Sequence, residues 1–332
     1  MTWNSRYLSP DPTQWKGRPD TPPGSCFFQI IQMLDLFQSP IPVKANSANN
    51  FALLGFRCDE GIRRNMGRIG AAEGPSAIRQ ALSRLPIQKD NFHIFDAGSI
   101  VCIDGDLEAS QAALGEVIAL LLQQQFTPIV LGGGHELAWG HYQGIAKAFP
   151  TKKLGILNFD SHFDMRPLLA DNKGSSGTPF LQIAEHHTQI NRPFDYNCVG
   201  IQHTGNDRTL LEIAKKYETK IIWADEIHLA QLEKSVDFID RIIDQNEIIY
   251  LSLCLDVFAS AFAPGVSAIQ PLGLYPWHVI PLIRQLAASG KVISYDIVEL
   301  SPRYDIDHTT SKLAACLICE FIHHHNEEPR EW

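Results

Sequence analysis

The chain of 332 residues is short of positive charge: 28 Lys and Arg stand against 37 Asp and Glu, a formal net charge of −9. Nucleic-acid phosphates need a basic face, so the composition argues against that class of partner. An anionic small molecule would need local cations, because the overall field repels it. Long apolar runs are also missing. The longest considered, Val117–Leu122, breaks into Gln123–Gln125 and falls well short of the roughly 20 residues of a membrane span. The N-terminal MTWNSRYLSPDPTQW holds no apolar stretch of the secretory kind. Close cysteine pairs are scarce: among seven cysteines, only Cys316 and Cys319 form a CxxC, inside the helix-like LAACLICEFI, where core packing is expected. A disulfide scaffold is excluded, and reduced thiols in the cytoplasm are the expectation.

What remains is an ordinary globular mixture, 45% hydrophobic and 20% charged, long enough to bury a large core without covalent staples. Residues 1–50 are proline-rich with weak periodicity and read as an N-terminal arm over the surface, with one helix-like stretch near Phe27–Phe37. Residues 51–332 read as a single domain. From Phe92 onward, Val- and Ile-rich runs alternate with amphipathic stretches, the pattern of βα units around a parallel sheet. Strands are expected near His93–Asp96, Pro128–Leu131, Leu154–Phe159, Asn197–Ile201, Lys220–Trp223, Ile248–Leu255 and Val292–Asp296. Helices are expected at Leu107–Gln125, Asp207–Glu218, Ser235–Gln245 and Thr309–His324. Continuous apolar strands imply helices on both faces of the sheet, an α/β class.

Three of these strands end in residues that bind cations. GGGHE (Gly132–Glu136) follows PIVL, DSHFD (Asp160–Asp164) follows LGILNF, and Cys254 and Asp256 lie near the end of IIYLSLCLD. Ligands of open parallel sheets gather beyond the carboxyl ends of the strands, so these remote segments are placed to share one crevice. In an extended segment, residues two apart point the same way, which lets Asp160, His162 and Asp164 converge. Imidazole and carboxylate suit Mn²⁺, Zn²⁺ or Fe²⁺. With His135, Asp256 and Cys254 added, the donors exceed what one tetrahedral ion needs and suit two ions sharing a carboxylate. Each piece alone has a plainer explanation: turn chemistry for DxHxD, a packed histidine at 135, a small buried hydrophobe at 254. Their joint placement at three strand ends favours metal. A phosphate-binding glycine loop is disfavoured, because GGGHE matches neither GxGxxG nor GxxxxGK[ST].

GGGHE, NFDSHFDMR and SLCLDVFASAFAPGVSA, in this order, resemble the ureohydrolases: arginases, agmatinases and their relatives, and among these most nearly the formimidoylglutamase branch. GFRCDEGIRRNMGRIGAAEGPSAIR, FDAGSIVCIDGDLEASQ, SSGTPFLQI and DIVELSPRYD extend the likeness over nearly everything after about residue 50. The resemblance implies a three-layer α/β/α arginase-like fold with a mostly parallel, eight-stranded sheet and two divalent ions, Mn²⁺ by preference. One ion would take His135, Asp160, Asp164 and residue 254; the other Asp160, His162, Asp256 and again residue 254. Glu299 matches the family glutamate that faces the amidine or guanidine nitrogens of the substrate. Two departures stand out. Cys254 occupies a position where the family usually has a bridging aspartate, and Ser176 stands where agmatinase-type relatives have a catalytic histidine. A thiolate at 254 is softer and open to oxidation. The loss at 176 leaves the usual proton shuttle unassigned.

The reaction implied is hydrolysis of N-formimidoyl-L-glutamate to L-glutamate and formamide, a step of histidine degradation. Asp164 is the candidate proton donor to the leaving amine. Arg166, Arg64 and Arg68, with Asn206, are candidates to bind the two substrate carboxylates, for which arginine forks are suited. Rivals are a guanidino-acid hydrolase releasing urea and a metal-poor pseudoenzyme of the same fold. A homo-oligomer is expected by likeness, with neither nucleic acid nor membrane as partner. The run His323–His325 at a helix end is expected to be solvated.

Overall fold

The computed structural model describes residues 3–38, 49–227 and 232–327. The parts of the expected arm at 1–2 and 39–48, and the terminus at 328–332, lie outside the described residues. Two short strands, β1 (Tyr7–Leu8) and β2 (Gln32–Met33), flank eight longer ones. These are β3 (Asn50–Arg57), β4 (His93–Val101), β5 (Thr127–Leu131), β6 (Leu154–Phe159), β7 (Asp195–Ile201), β8 (Lys220–Trp223), β9 (Ile248–Cys254) and β10 (Val292–Val298). The sheet runs β1-β4-β3-β5-β10-β9-β6-β7-β8, with β2 also on β4. Among the strands of the described residues, only β1 pairs antiparallel; the eight long strands are mutually parallel.

Helices cover both faces. On one face lie α3 (Gly74–Ser83), α8 (Leu232–Gln245), α9 (Pro276–Ala288) and α10 (Thr309–His324). On the other lie α4 (Leu107–Gln123), α5 (Leu137–Ala148), α6 (Pro179–Gln189) and α7 (Arg208–Lys216). The short α1 (Phe27–Ile30) and α2 (Glu60–Arg64) sit in connections. The two hydrophobic clusters divide each strand by its pleat. Phe51 and Leu53 face the first helix layer, Ala52, Leu54 and Phe56 the second. Burial on both sides explains the unbroken apolar runs, as in β9, where all seven residues are buried. The three-layer α/β architecture expected from the sequence is present, with two short strands, β1 and β2, added to the eight expected.

Several local expectations need correction. The interior strand β3, between β4 and β5, is not marked in the sequence, because Gly55 interrupts its apolar run. The glycine is required there: a Cβ would lie 2.3 Å from Ser99 Oγ. The helix expected over Phe27–Phe37 stops at Ile30, since Ile31 turns extended and Gln32–Met33 pair with Phe95–Asp96 of β4. His323 and His325 are buried, not solvated: His323 packs against Phe27 and Phe92, and His325 against Phe51 and Phe321. Burial lowers both of their pKa values. Of the CxxC pair, Cys319 packs on the core but Cys316 is exposed.

The segment before residue 39 lies along the β4 edge with Trp3, Tyr7, Trp15 and Phe27 buried. It is tied by a hydrogen bond to a buried ion pair. Arg79 makes a two-pronged contact with Asp96 at 2.8 and 2.9 Å, and the Trp15 indole N–H donates to the same carboxylate at 2.8 Å. Arg79 and Asp96 are both buried, so removing one partner strands the other's charge in a dry site. Arg79→Ala is expected to lower unfolding free energy by about 3–5 kcal/mol in urea titration; a loss under about 1 kcal/mol would contradict this reading of the pair.

Candidate metal centre

The four central strands β5, β10, β9 and β6 are neighbours in the sheet, and each delivers polar side chains at its carboxyl end. After β5, the glycine turn folds tightly against β3. Gly133 N–H donates to Phe56 O and Gly134 N–H to Cys58 O, and a Cβ on Gly133 would lie 2.0 Å from Cys58 O. Gly132 N–H goes to Ile297 O and His135 N–H to a Glu299 carboxylate oxygen. With the N–H groups of Gly132–His135 spent this way, these four are not open to cradle a phosphate. Its product is the placement of His135.

After β6, Asp160–Asp164 is not extended. The Asp160 carboxylate accepts the His162 N–H at 2.7 Å, the Asn206 side chain accepts the Phe163 N–H, and Asp164 takes a left-handed φ of 48°. The residues converge through bends, and not through the strand-like alternation expected. Cys254 ends β9, and Asp256 follows in a single helical turn. Glu299 follows β10 with φ 70°. Left-handed conformations are costly for side chains with a Cβ and cluster where function requires them.

Donor atoms of His135, Asp160 and Cys254 all lie within 4.8 Å of one another, as do those of Asp160, His162 and Asp256. Asp160 belongs to both groups. His135 Nδ1 stands 2.9 Å from an oxygen of Asp160 and of Asp164, yet neither approach is aligned as a hydrogen bond. His162 Nδ1 stands 3.2 Å from Asp256 and 3.5 Å from Asp160. Asp256 Oδ1 is buried with no hydrogen-bond partner. Such orphaned, inward-facing donors fit cations held among them.

The electrostatics point the same way. Burial, then the charge of Asp160, pushes the pKa of both Asp164 and Asp256 upward. Burial, then Glu136, raises that of Glu299. Burial, then Asp160 and Asp256, raises the Cys254 thiol well above its ordinary range. Burial opposes ionisation of Asp160, but His135 and His162 outweigh it and hold its carboxyl low. Burial likewise opposes charge on both histidines. The neighbouring carboxylates outweigh it, raising both pKa values well above the ordinary imidazole range. In the apoprotein, therefore, protons occupy the places that cations would take.

The Arginase family matches over residues 49–324. The chain belongs to the arginase family. Formimidoylglutamase of Legionella pneumophila (strain Lens) is 42% identical over 318 residues, 96% of this chain and 98% of that protein. The Geobacillus sp. (strain WCH70) formimidoylglutamase is 40% identical, over 98% of each chain. Among solved structures, Trypanosoma cruzi formiminoglutamase with Mn2+2 superposes with a TM-score of 0.74 at 25% identity, covering 84% of this chain and 95% of that one.

Over this arginase-family centre opens a cavity of about 310 Å³. His162, Asp164, Cys254, Asp256 and Glu299 line it, together with Arg68, Arg166, Asn65, Ser176 and Ser267. Arg166 is exposed at its wall. Arg68 also lines it, though its guanidinium holds Val266 O and Ser267 O and rests 4.2 Å from the centre of the Tyr304 ring. Two candidates lie elsewhere. Arg64 is tied to Glu60 and Glu108 and to the carbonyls of Gly105 and Gly174, which makes it a strut between loops. Asn206 spends its amide on Phe163 N, Ser161 O and Gln202 O, shaping the loop that carries the ligands. Two residues were not anticipated. Asn65 donates to Ser176 Oγ at 3.2 Å on the cavity wall. Glu136, beside His135 in sequence, is buried and accepts the Gly61 N–H.

Protons and cations compete for the same Nδ1 atoms, so Mn²⁺ affinity should rise with pH through the neutral range, where the raised imidazole pKa values keep both rings protonated. Calorimetry in buffers of different ionisation heat is expected to show net proton release on Mn²⁺ binding at pH 7. Zero release or net uptake would contradict the assignment of these rings.

Proposed function

We propose that this chain hydrolyses N-formimidoyl-L-glutamate to L-glutamate and formamide, using two Mn²⁺ ions. The observation that carries this reading is the near-full-length identity, 40–42%, to proteins named formimidoylglutamase. The buried donor set supports the metal requirement. His135, Asp160, Asp164 and Cys254 would hold one ion, and Asp160, His162, Cys254 and Asp256 the other, with Asp160 and Cys254 shared. When bound, the paired ions would supply Lewis acidity that lowers the pKa of water toward neutral.

The residues of the chain do the rest. Glu299, its carboxyl fixed by the His135 N–H, accepts hydrogen bonds from the protonated formimidoyl nitrogens and orients the planar carbon. Asp164, on the cavity wall, accepts the proton released as water adds and passes it to the departing glutamate nitrogen. Arg166, with Arg68 beside it, pairs with the substrate carboxylates and offsets the net negative field of the protein. The Asn65–Ser176 pair occupies the wall where agmatinase-type relatives have histidine, and presents hydrogen-bonding groups in place of a basic ring. As further proposals, the enzyme works in the cytoplasm and as a homo-oligomer. Light scattering should return a multiple of 37.1 kDa, and a monomer mass would overturn the second of these.

Product analysis with formimidoylglutamate, agmatine, arginine and guanidinobutyrate tests the reaction. Formamide from the first and no urea from the others is expected; urea from a guanidino substrate would place the chain with its other relatives, and no turnover with Mn²⁺ would favour a pseudoenzyme. Asp160→Ala should abolish turnover and bound metal while leaving the thermal melt cooperative; full activity in that variant would refute the centre. Cys254→Asp should hold Mn²⁺ at least as tightly as the parent, because a hard carboxylate replaces a soft thiolate. Loss of both metal and activity in Cys254→Asp would overturn the role given to position 254. Arg166→Ala should raise KM for formimidoylglutamate about tenfold or more with little change in kcat, the signature of lost uniform binding.

A further inference from the structure

Behind the metal centre lies a buried polar chain that the proposed chemistry does not use. The pleat of β9 sets Tyr250, Ser252 and Cys254 on one face, and β10 sets Ser294 and Asp296 beside them, Asp296 opposite Ser252 and Ser294 opposite Tyr250. This row lies one step below Cys254, under α5, in the layer that also holds Ala138, Tyr142 and Val298. Ser252 Oγ donates to one oxygen of Asp296 at 2.7 Å. The other oxygen accepts from the Tyr250 hydroxyl and meets His141 Nδ1 at 2.7 Å, while His141 Nε2 meets Ser294 Oγ at 2.6 Å. Tyr250, Ser252, Asp296, Ser294 and His141 are all fully buried. The chain ends on the metal centre itself, because His135 Nε2 lies 2.9 Å from Ser252 Oγ.

We infer that the His141–Asp296 pair, acting through Ser252, is a positioning device that fixes the tautomer and direction of His135. The inference rests on the reading of His135 as a metal ligand. Ser252 has one hydroxyl proton, and it is committed to Asp296. Toward His135 the oxygen has only lone pairs to offer, so the proton of the ring sits on Nε2. Once Nδ1 gives up its proton, as metal binding requires, its lone pair is aimed at the space between Asp160 and Asp164, 2.9 Å from each. Metal-ligating histidines are commonly oriented by such a carboxylate behind the ring. Here the carboxylate acts at one remove, through a serine. His141 and Tyr250 hold the carboxylate in turn, so that its free oxygen stays turned toward Ser252. A side chain placed only to fill this layer would be apolar, since a buried carboxylate must be fully hydrogen-bonded to be tolerated.

The test compares Mn²⁺ binding by paramagnetic resonance titration in the parent, Ser252→Ala, Asp296→Asn and His135→Asn, with apoprotein melting measured alongside. Ser252→Ala and Asp296→Asn are expected to weaken the same ion that His135→Asn loses, by about 10–100-fold, and to affect the second ion less. A merely structural role would lower the melting temperature and leave the metal affinity unchanged. That result, with His135→Asn still losing an ion, would overturn the positioning role and keep the metal centre. Parental affinity for both ions in His135→Asn would overturn the metal reading itself. Should Asp296→Asn fail to fold, Ser252→Ala removes the link to His135 with a smaller side chain and decides the matter alone.

Discussion

Four carboxylates and a thiol share a crevice from which water is largely excluded, and that concentration of acidic groups is stable only if positive charge joins them. Asp160, Asp256, Glu299 and Cys254 are buried and Asp164 nearly so. Burial and mutual repulsion raise the pKa of Asp164, Asp256, Glu299 and Cys254, so the full set ionises only with compensation. Protons on His135 and His162 supply part of it in the apoprotein. Divalent cations supply more, and turn the same groups from an electrostatic burden into a coordination shell. Asp160 is central because it alone belongs to both clusters of donors.

The sheet makes this crowding possible. Between β6 and β9 the chain travels outward through β7 and β8, then returns to insert β9 and β10 between β6 and β5. Four consecutive positions in the sheet therefore receive ends from four distant parts of the sequence. Each end is turned inward by local means: tight glycine contacts after β5, a carboxylate accepting a backbone N–H at His162, left-handed residues at Asp164 and Glu299. The strands also bring a buried polar row beneath the site, so the rigidity of the sheet is transmitted to a ligand side chain and not only to the backbone.

Much of this was legible in the sequence. The βα alternation revealed the parallel sheet because strands buried on both faces must read as continuous apolar runs. GGGHE, DSHFD and Cys254-x-Asp256 stood out because each followed such a run, and chain ends of parallel strands share one side. What escaped notice has physical causes. Gly55 hid β3, since the close approach of Ser99 is a tertiary fact. The two-residue strand β2 interrupts a helical pattern, because Gln32 and Met33 pair with Phe95 and Asp96 of β4, residues remote in the chain. Arg64 and Arg166 look alike in the sequence, but only three-dimensional neighbours distinguish a guanidinium bound to Glu60 and Glu108 from one at a cavity wall. Asn65 gave no signal at all, for its partner Ser176 is remote in the chain. His141 sits six residues past His135 with no pattern linking them; the connection runs through Ser252 and Asp296, on strands far downstream.

The most direct test of the account is a crystal structure of the Mn²⁺-loaded protein with anomalous data collected at the manganese edge. Two anomalous peaks are predicted beyond the ends of β5, β6 and β9, both within bonding distance of Asp160. A single peak, or peaks that leave Asp160 uncoordinated, would contradict it.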